Sequence, residues 1–347
     1  MKLKKLFAGV VAVAMMATMA APAFANRLTD VPTTVTITKT LKNVNNPAEG
    51  AVPDIAASMT LDNEGKAATK PGGVADDAQI SIDPATVTNG KGAFTVHLDS
   101  IKVPGIYTYN LTENAVNEAG VKQNDKHYTL TIYALNDPTY NAGTNRIGAY
   151  EFRLDEVGGG TKLAEVENSY YAGTVDITKV VKGNFANREQ EFNFEVTLKS
   201  DLPVTSEVTI AGEKVTFERN TTTNKYVATK DITLKDGEIK GIQNLPYGVT
   251  YTVKEFTKDA SDNKIYAVND NDKLTVNGQE YTVEFDNETG AFDYGDAGTR
   301  RVTITNDTGD GDVDTGVILD NAPYILMLAV VAGGAMTLVI KKRREEE

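Results

Sequence analysis

A unit of about 140 residues occurs twice in this chain, and this repeat constrains the fold more than any other feature of the sequence. Thr34–Lys39 reads TVTITK and Thr174–Lys179 reads TVDITK, so five of six positions match at an offset of 140. A second pair of similar segments, Gly105–Glu113 and Tyr247–Glu255, lies in the middle of each repeat. Since solenoid repeats are only about 20–50 residues long, this period indicates the duplication of a whole domain.

Within both repeats, Thr and Val alternate along short stretches that are separated by Gly, Asn and Pro. This pattern is typical of strands joined by turns, and it predicts an all-β protein. Several such strands within one repeat favour an immunoglobulin-like β-sandwich, with a jelly roll as the alternative. We therefore predict two tandem sandwich domains, over residues 27–170 and 171–307.

Both ends of the chain are expected to lie outside these domains. Residues 1–25 contain three lysines, an apolar stretch and a final Ala-Phe-Ala, which is typical of a secretory signal peptide. Residues 308–347 begin as a polar linker and include the uncharged span 322–340, which is followed by Lys-Lys-Arg-Arg. The span is long enough to cross a bilayer as a helix, and the basic cluster predicts that its end stays cytoplasmic.

Composition excludes several classes of function. The sequence has no Cys and two His, so it offers no Cys/His metal cluster, and we predict no metal or other cofactor. The whole chain carries −13, residues 1–25 carry +3 and residues 317–347 are neutral, so residues 26–316 carry −16. This acidity argues against nucleic acid as a partner. A secreted protein without Cys also lacks disulfides, which leaves room for another kind of crosslink.

A lysine, a glutamate and an asparagine recur in the same order in both repeats. The first trio is Lys39, Glu113 and Asn168, and the second trio is Lys179, Glu255 and Asn306. Each of the six is in phase with the apolar residues of its segment, as Lys39 is with Val35 and Ile37. Because side chains alternate between the two faces of a strand, all six are expected to point into a core.

Burial would give such a trio its own chemistry. Desolvation favours the neutral forms of Lys and Glu, and a neutral amine is a nucleophile. That amine can attack the amide carbon of an Asn while the Glu moves protons, which yields an isopeptide bond and ammonia. The alternative is a lysine that reaches water, a glutamate in an ordinary salt bridge and an asparagine in a turn. The recurrence of three residue types in order and in phase favours the crosslink.

At these residues the sequence resembles the Gram-positive pilin family, and in particular the two-domain major pilins of the streptococcal FctA type. The resemblance extends over nearly the whole chain. It implies that an isopeptide bond joins the first and last strands of each domain and that a glutamate assists its formation. The implied bonds are Lys39–Asn168, assisted by Glu113, and Lys179–Asn306, assisted by Glu255.

The C-terminal residues carry a further resemblance, because Val313-Asp314-Thr315-Gly316 before an apolar span and a basic cluster is similar to a sortase sorting signal. It implies cleavage between Thr315 and Gly316 and transfer of the Thr315 carbonyl to a lysine amine or to the cell wall. Asp314 stands where the family usually has Pro, which leaves the class of sortase open. A plain membrane anchor is the alternative.

A polymerising pilin also needs an acceptor lysine. In the FctA type it lies near the end of the first domain, and Lys162, which follows three glycines, occupies a similar place and is expected to be exposed. The resemblance thus implies a secreted, non-enzymatic subunit of a pilus in the cell wall. Its implied partners are a sortase, other pilin subunits and peptidoglycan.

Two other functions are alternatives to the pilin interpretation. A wall-anchored adhesin would bind a host ligand through loops such as 62–79 or 259–272, but these loops are polar and have no aromatic cluster. A surface hydrolase would need carboxylates in a recognisable nucleophile or metal motif, and the sequence has none.

Overall fold

The computed structural model describes residues 33–45, 52–72, 74, 78–122, 126–137, 147–158, 162–294, 296 and 298–309. The predicted signal peptide, the membrane span and the sorting residues Thr315 and Gly316 lie outside the described residues. Within the described part of the chain, no helix is long and apolar enough to cross a membrane.

The described residues are almost entirely β-structure, as the alternating pattern predicted. The strands of the first repeat are β1 Thr34–Asn43, β2 Ile55–Ala57, β3 Met59–Leu61, β4 Ser81–Asp83, β5 Ala85–Val87, β6 Lys91–His97, β7 Gly105–Glu113, β8 Val121–Lys122, β9 His127–Asn136, β10 Ile147–Glu156, β11 Lys162–Leu163 and β12 Glu165–Tyr170. A short 3-10 segment, Asp62–Gly65, follows β3.

The strands of the second repeat are β13 Ala172–Lys182, β14 Phe192–Ser200, β15 Val208–Ile210, β16 Glu213–Val215, β17 Glu218–Arg219, β18 Tyr226–Leu234, β19 Ile239–Pro246, β20 Thr250–Lys258, β21 Lys264–Tyr266, β22 Asp272–Val276, β23 Gln279–Asp286, β24 Thr289–Ala291 and β25 Thr299–Asp307.

These strands belong to two compact units. Of the described residues, the first unit takes those up to Leu41 together with those in Ile55–Val116 and Gln123–Asn168. The second unit takes the described residues from Ser169 onward together with those in Lys42–Asp54 and Asn117–Lys122. Two short segments of the first repeat therefore belong to the second unit, where β8 pairs with Ser169 and Tyr170.

The first unit is an immunoglobulin-like sandwich of two main sheets, and it also contains the two-stranded sheet β2-β5. One sheet contains the order β4-β6-β1-β12 and the other has the order β11-β10-β9-β7-β3. Alternate side chains of both sheets are buried between them, as Phe94 and Val96 are on β6 and Leu130 and Ile132 are on β9. The phase of these apolar residues decides which face of each strand turns to the core.

The second unit repeats this architecture with longer sheets. Their orders are β16-β15-β19-β13-β25-β23-β22 and β17-β18-β14-β20-β21, and β24 pairs with β20. The first and last long strands, β13 and β25, are parallel neighbours, with Lys179 opposite Ile304 and Val181 opposite Asn306. This register places the side chains of Lys179 and Asn306 on the same inner face of adjacent strands.

Candidate crosslinking sites

Each unit buries one of the two trios at a matching place. In the second unit Lys179 lies on β13, Asn306 on the adjacent β25, and Glu255 on β20 of the opposite sheet. All three are 0% exposed. In the first unit Lys39 lies on β1, Asn168 on the neighbouring β12, and Glu113 at the end of β7 in the opposite sheet. All six side chains are buried, so the alternation along each strand predicted correctly that they point into a core.

The second trio is in full mutual contact. The Nζ of Lys179 donates to Asn306 Oδ1 at 2.5 Å and to Glu255 Oε2 at 3.1 Å. The Nδ2 of Asn306 donates to the other carboxylate oxygen, Glu255 Oε1, at 2.6 Å. One carboxyl group thus contacts both the lysine amine and the amide nitrogen of the asparagine.

Apolar surroundings tune the protonation of this trio. The ring centroids of Phe192 and Phe194 lie 4.5 and 5.6 Å from Lys179 Nζ. Burial lowers the pKa of Lys179 to about 8, although the charge of Glu255 opposes that shift. Burial also raises the pKa of Glu255, against the opposing effect of Lys179. Both directions favour a neutral amine beside a protonated carboxyl group, which is the pair that the crosslink predicted from the sequence would need.

The first trio is arranged differently. Lys39 Nζ lies 2.9 Å from Glu113 Oε1, and Asn168 Nδ2 donates to the same oxygen at 3.1 Å. Burial lowers the pKa of Lys39, and Glu113 opposes the shift. Within the described part of the chain, Asn168 Oδ1 accepts no hydrogen bond. The amide oxygen is therefore in contact with the lysine in the second unit and not in the first.

The predicted acceptor, Lys162, lies on β11, at the edge of its sheet, and is exposed. It stands opposite Asp155 of β10. Among the described residues there is no group of three or more His, Cys, Asp or Glu that could hold a metal ion. Sequence reasoning did not find the aromatic pair Phe192 and Phe194, although their i, i+2 spacing on a strand places both rings on one face.

Comparison with known proteins identifies the family. A curated pilin of Streptococcus pyogenes serotype M1 is 30% identical over 336 residues, which cover 89% of this chain and 90% of that protein. The chain belongs to the streptococcal pilin family. It is accordingly a structural pilus subunit of the cell surface, as the sequence predicted.

Other matches involve parts of this pilin or its fold. A sequence family described as a domain of unknown function, DUF7601, matches residues 173–308. The pilus tip adhesin Cpa of Streptococcus pyogenes is 36% identical over 128 residues, 32% of this chain and 16% of that protein. The crystal structure of the major pilin from Streptococcus pyogenes is 23% identical, covers 79% of this chain and 98% of that one, and has a TM-score of 0.48.

Proposed function

We propose that this pilin is a backbone subunit that crosslinks itself through the bonds Lys39–Asn168 and Lys179–Asn306 and is then joined to other subunits by a sortase. The observation that carries the self-crosslinking is the buried contact of Lys179 with both Asn306 and Glu255. A buried amine at 2.5 Å from an amide oxygen is held next to the amide group that it would attack, and such positioning replaces a bimolecular encounter.

The reaction in the second unit follows from these contacts. Burial favours a neutral Lys179 beside a protonated Glu255, and the neutral Nζ attacks Cγ of Asn306. As the C–N bond forms, Glu255 gives its proton to Nδ2, which leaves as ammonia, and takes one proton from the attacking nitrogen. The balance is one amine plus one primary amide to one secondary amide plus ammonia, and Glu255 is regenerated.

The bond has a mechanical consequence. Lys179 and Asn306 lie on parallel neighbouring strands at the two ends of the second repeat. With these strands covalently joined, tension along a pilus passes through the bond and does not unzip the sheet. Lys39 and Asn168 occupy the equivalent neighbours β1 and β12 in the first unit.

We expect the second bond to form before the first. Lys179 Nζ already contacts the amide oxygen of Asn306, whereas Asn168 must reorient because its oxygen meets no donor among the described residues. Reorienting one buried side chain slows the step by roughly tenfold. Peptide mapping of a refolding time course, started from uncrosslinked chain recovered from inclusion bodies and quenched in acid, measures both bonds in one sample. Faster formation of Lys39–Asn168 would contradict this order.

Polymerisation is proposed to use Thr315 as the carbonyl donor and Lys162 as the acceptor, with peptidoglycan as the final acceptor at the wall. Expression in a Gram-positive host with its sortase is expected to give a ladder of SDS-resistant polymers. Thr315→Ala should abolish the ladder, and Lys162→Arg should abolish it while wall attachment persists. Lys126 is another exposed lysine of the first unit, so Lys126→Arg is the matched control and should leave the ladder intact.

The outcome separates the backbone role from that of an adhesin. A single monomeric band on the wall, with no ladder, would favour an adhesin that binds a host ligand through loops 62–79 or 259–272. A ladder that survives Lys162→Arg would keep the backbone role and assign the acceptor to another lysine.

A further inference from the structure

Two residues after Lys179, a carboxylate side chain replaces the backbone as the hydrogen-bond partner of strand β13. The ladder between β13 and β19 ends at Thr178, which pairs with Ile239. Lys179 itself still forms backbone hydrogen bonds with the turn before β19. Its N–H donates to Glu238 O at 3.1 Å, and its carbonyl accepts from Gly237 N at 2.9 Å. The next inward residue, Val181, donates its N–H to Asp236 Oδ1 at 2.7 Å. The strand is thus held by a side chain two residues after the reacting lysine.

Asp236 also carries a charge that acts on the Lys179 amine. Its other oxygen, Oδ2, accepts a hydrogen bond from Arg188 at 2.6 Å, and the Asp236 side chain is only 17% exposed. The negative charge of Asp236 opposes the loss of the Lys179 proton, since it acts to raise the pKa of that amine. Arg188 is therefore placed to offset a charge that would keep the nucleophile protonated.

The other elements around Lys179 contribute one further charge. Glu255 faces it from β20, while β14 presents Phe192 and Phe194 and β25 presents the neutral Asn306. The turn that contains Asp236 also carries Lys235 and Glu238, and the Lys235 side chain pairs at 3.9 Å with the exposed Glu189. Only Glu255 and Asp236 act on the Lys179 amine among these described groups.

The first unit supplies an internal comparison. Leu41 stands two residues after Lys39, as Val181 stands two residues after Lys179. Its N–H donates to the backbone carbonyl of Gly90 at 2.9 Å. The same strand position is therefore fixed by a neutral group in the first unit and by a carboxylate in the second.

We propose that Asp236 is a positioning residue for crosslinking of the second unit, where it fixes the strand that carries Lys179, and that Arg188 offsets its charge beside the reacting amine. The inference rests on the proposed reaction of Lys179 with Asn306. It assigns two separable effects to one side chain, a hydrogen bond that holds geometry and a charge that controls protonation.

The test starts from full chain that is recovered unfolded and uncrosslinked from inclusion bodies, and it follows bond formation after dilution from denaturant into buffers from about pH 6 to 10, a range that spans the titration of a shifted lysine. Samples quenched in acid are digested, and the crosslinked peptides of each unit are quantified by mass spectrometry. The variants are Arg188→Gln, Asp236→Asn, their combination and Asp236→Ala. The first bond, Lys39–Asn168, is the internal control in every sample.

Arg188→Gln is expected to slow the second bond about two- to fivefold near neutral pH, the effect of one exposed ion pair. This difference in rate should disappear at high pH, where the Lys179 amine is neutral in both the variant and the wild type. Asp236→Asn keeps an acceptor for Val181 and removes the charge, so adding it to Arg188→Gln should restore the wild-type rate. Asp236→Ala removes the acceptor and should slow the second bond at least about tenfold at every pH.

A merely structural role would lower the rate without moving the pH profile. An unchanged profile in Arg188→Gln, or a wild-type rate in Asp236→Ala, overturns the proposal while the crosslinking reaction stands. If the wild type forms neither bond, the proposed function fails and this inference with it. Should Asp236→Ala fail to fold, the isosteric Asp236→Asn and the exposed Arg188→Gln still decide the question.

Discussion

Glu255→Gln is expected to leave the second bond unformed, so that the folded chain falls short of its sequence mass by one ammonia where the wild type falls short by two. Glutamine has nearly the same shape as glutamate but cannot take a proton from Lys179 or pass one to Asn306 Nδ2, the two contacts that the carboxyl group makes. Loss of a general acid and base slows a reaction by on the order of 10²–10⁴. Intact-mass measurement of the secreted chain detects the difference directly.

In this experiment the bond of each unit is the control for the bond of the other unit. Glu113→Ala or Glu113→Gln should prevent the first bond, so that the mass falls short of the sequence mass by one ammonia instead of two. The double variant with Glu255→Gln should form neither bond and show the full sequence mass. Glu195→Gln is the matched control, because Glu195 lies on β14 and pairs with Lys264 near the surface at 2.7 Å. It should keep both ammonia losses. A wild-type chain at full sequence mass would sink the crosslink proposal.

The burial of the trios was predictable because strand phase is a local property. Val175, Ile177, Lys179 and Val181 are all buried, so four residues at spacing two were enough to turn the lysine inward. The pairing of β13 with β25 followed from the repeat and the family resemblance. Alternation by itself selects a face and leaves the partner strand undetermined.

Contacts that depend on register or on side-chain rotation could not be predicted in this way. Segment Asn117–Lys122 lies inside the first repeat, yet Ala119 N donates to Pro203 O and Gly120 N donates to Tyr247 O in the second unit. No local sequence pattern predicts partners that are so far apart in the sequence. Asp236 likewise precedes a glycine and looks like an ordinary turn residue, and its bond to Val181 N appears only once the turn is closed.

Removal of the second bond is expected to lower the stability of the second unit substantially. Lys179 and Asn306 are 127 residues apart in sequence, and in the chain-entropy account a tie across so long a loop contributes roughly 4–5 kcal/mol. Asn306→Ala should therefore lower the unfolding temperature of this unit by on the order of 10–20 °C. Calorimetry of the secreted chain measures the change, with Asn168→Ala as the matched variant for the first unit.

The pH dependence of the uncrosslinked variant separates the lost bond from a lost side chain. Asn306→Ala retains Lys179, whose pKa burial lowers to about 8 from 10.5 in the folded state. Between these values the unfolded chain binds more protons than the folded one, so the stability of the variant should rise with pH across this window. In the crosslinked wild type, Lys179 is an amide and contributes no such slope. Glu255→Gln lacks the bond but keeps the asparagine, and it should show most of the same loss of stability. If Asn306→Ala unfolds at the wild-type temperature, Lys179 and Asn306 are not joined.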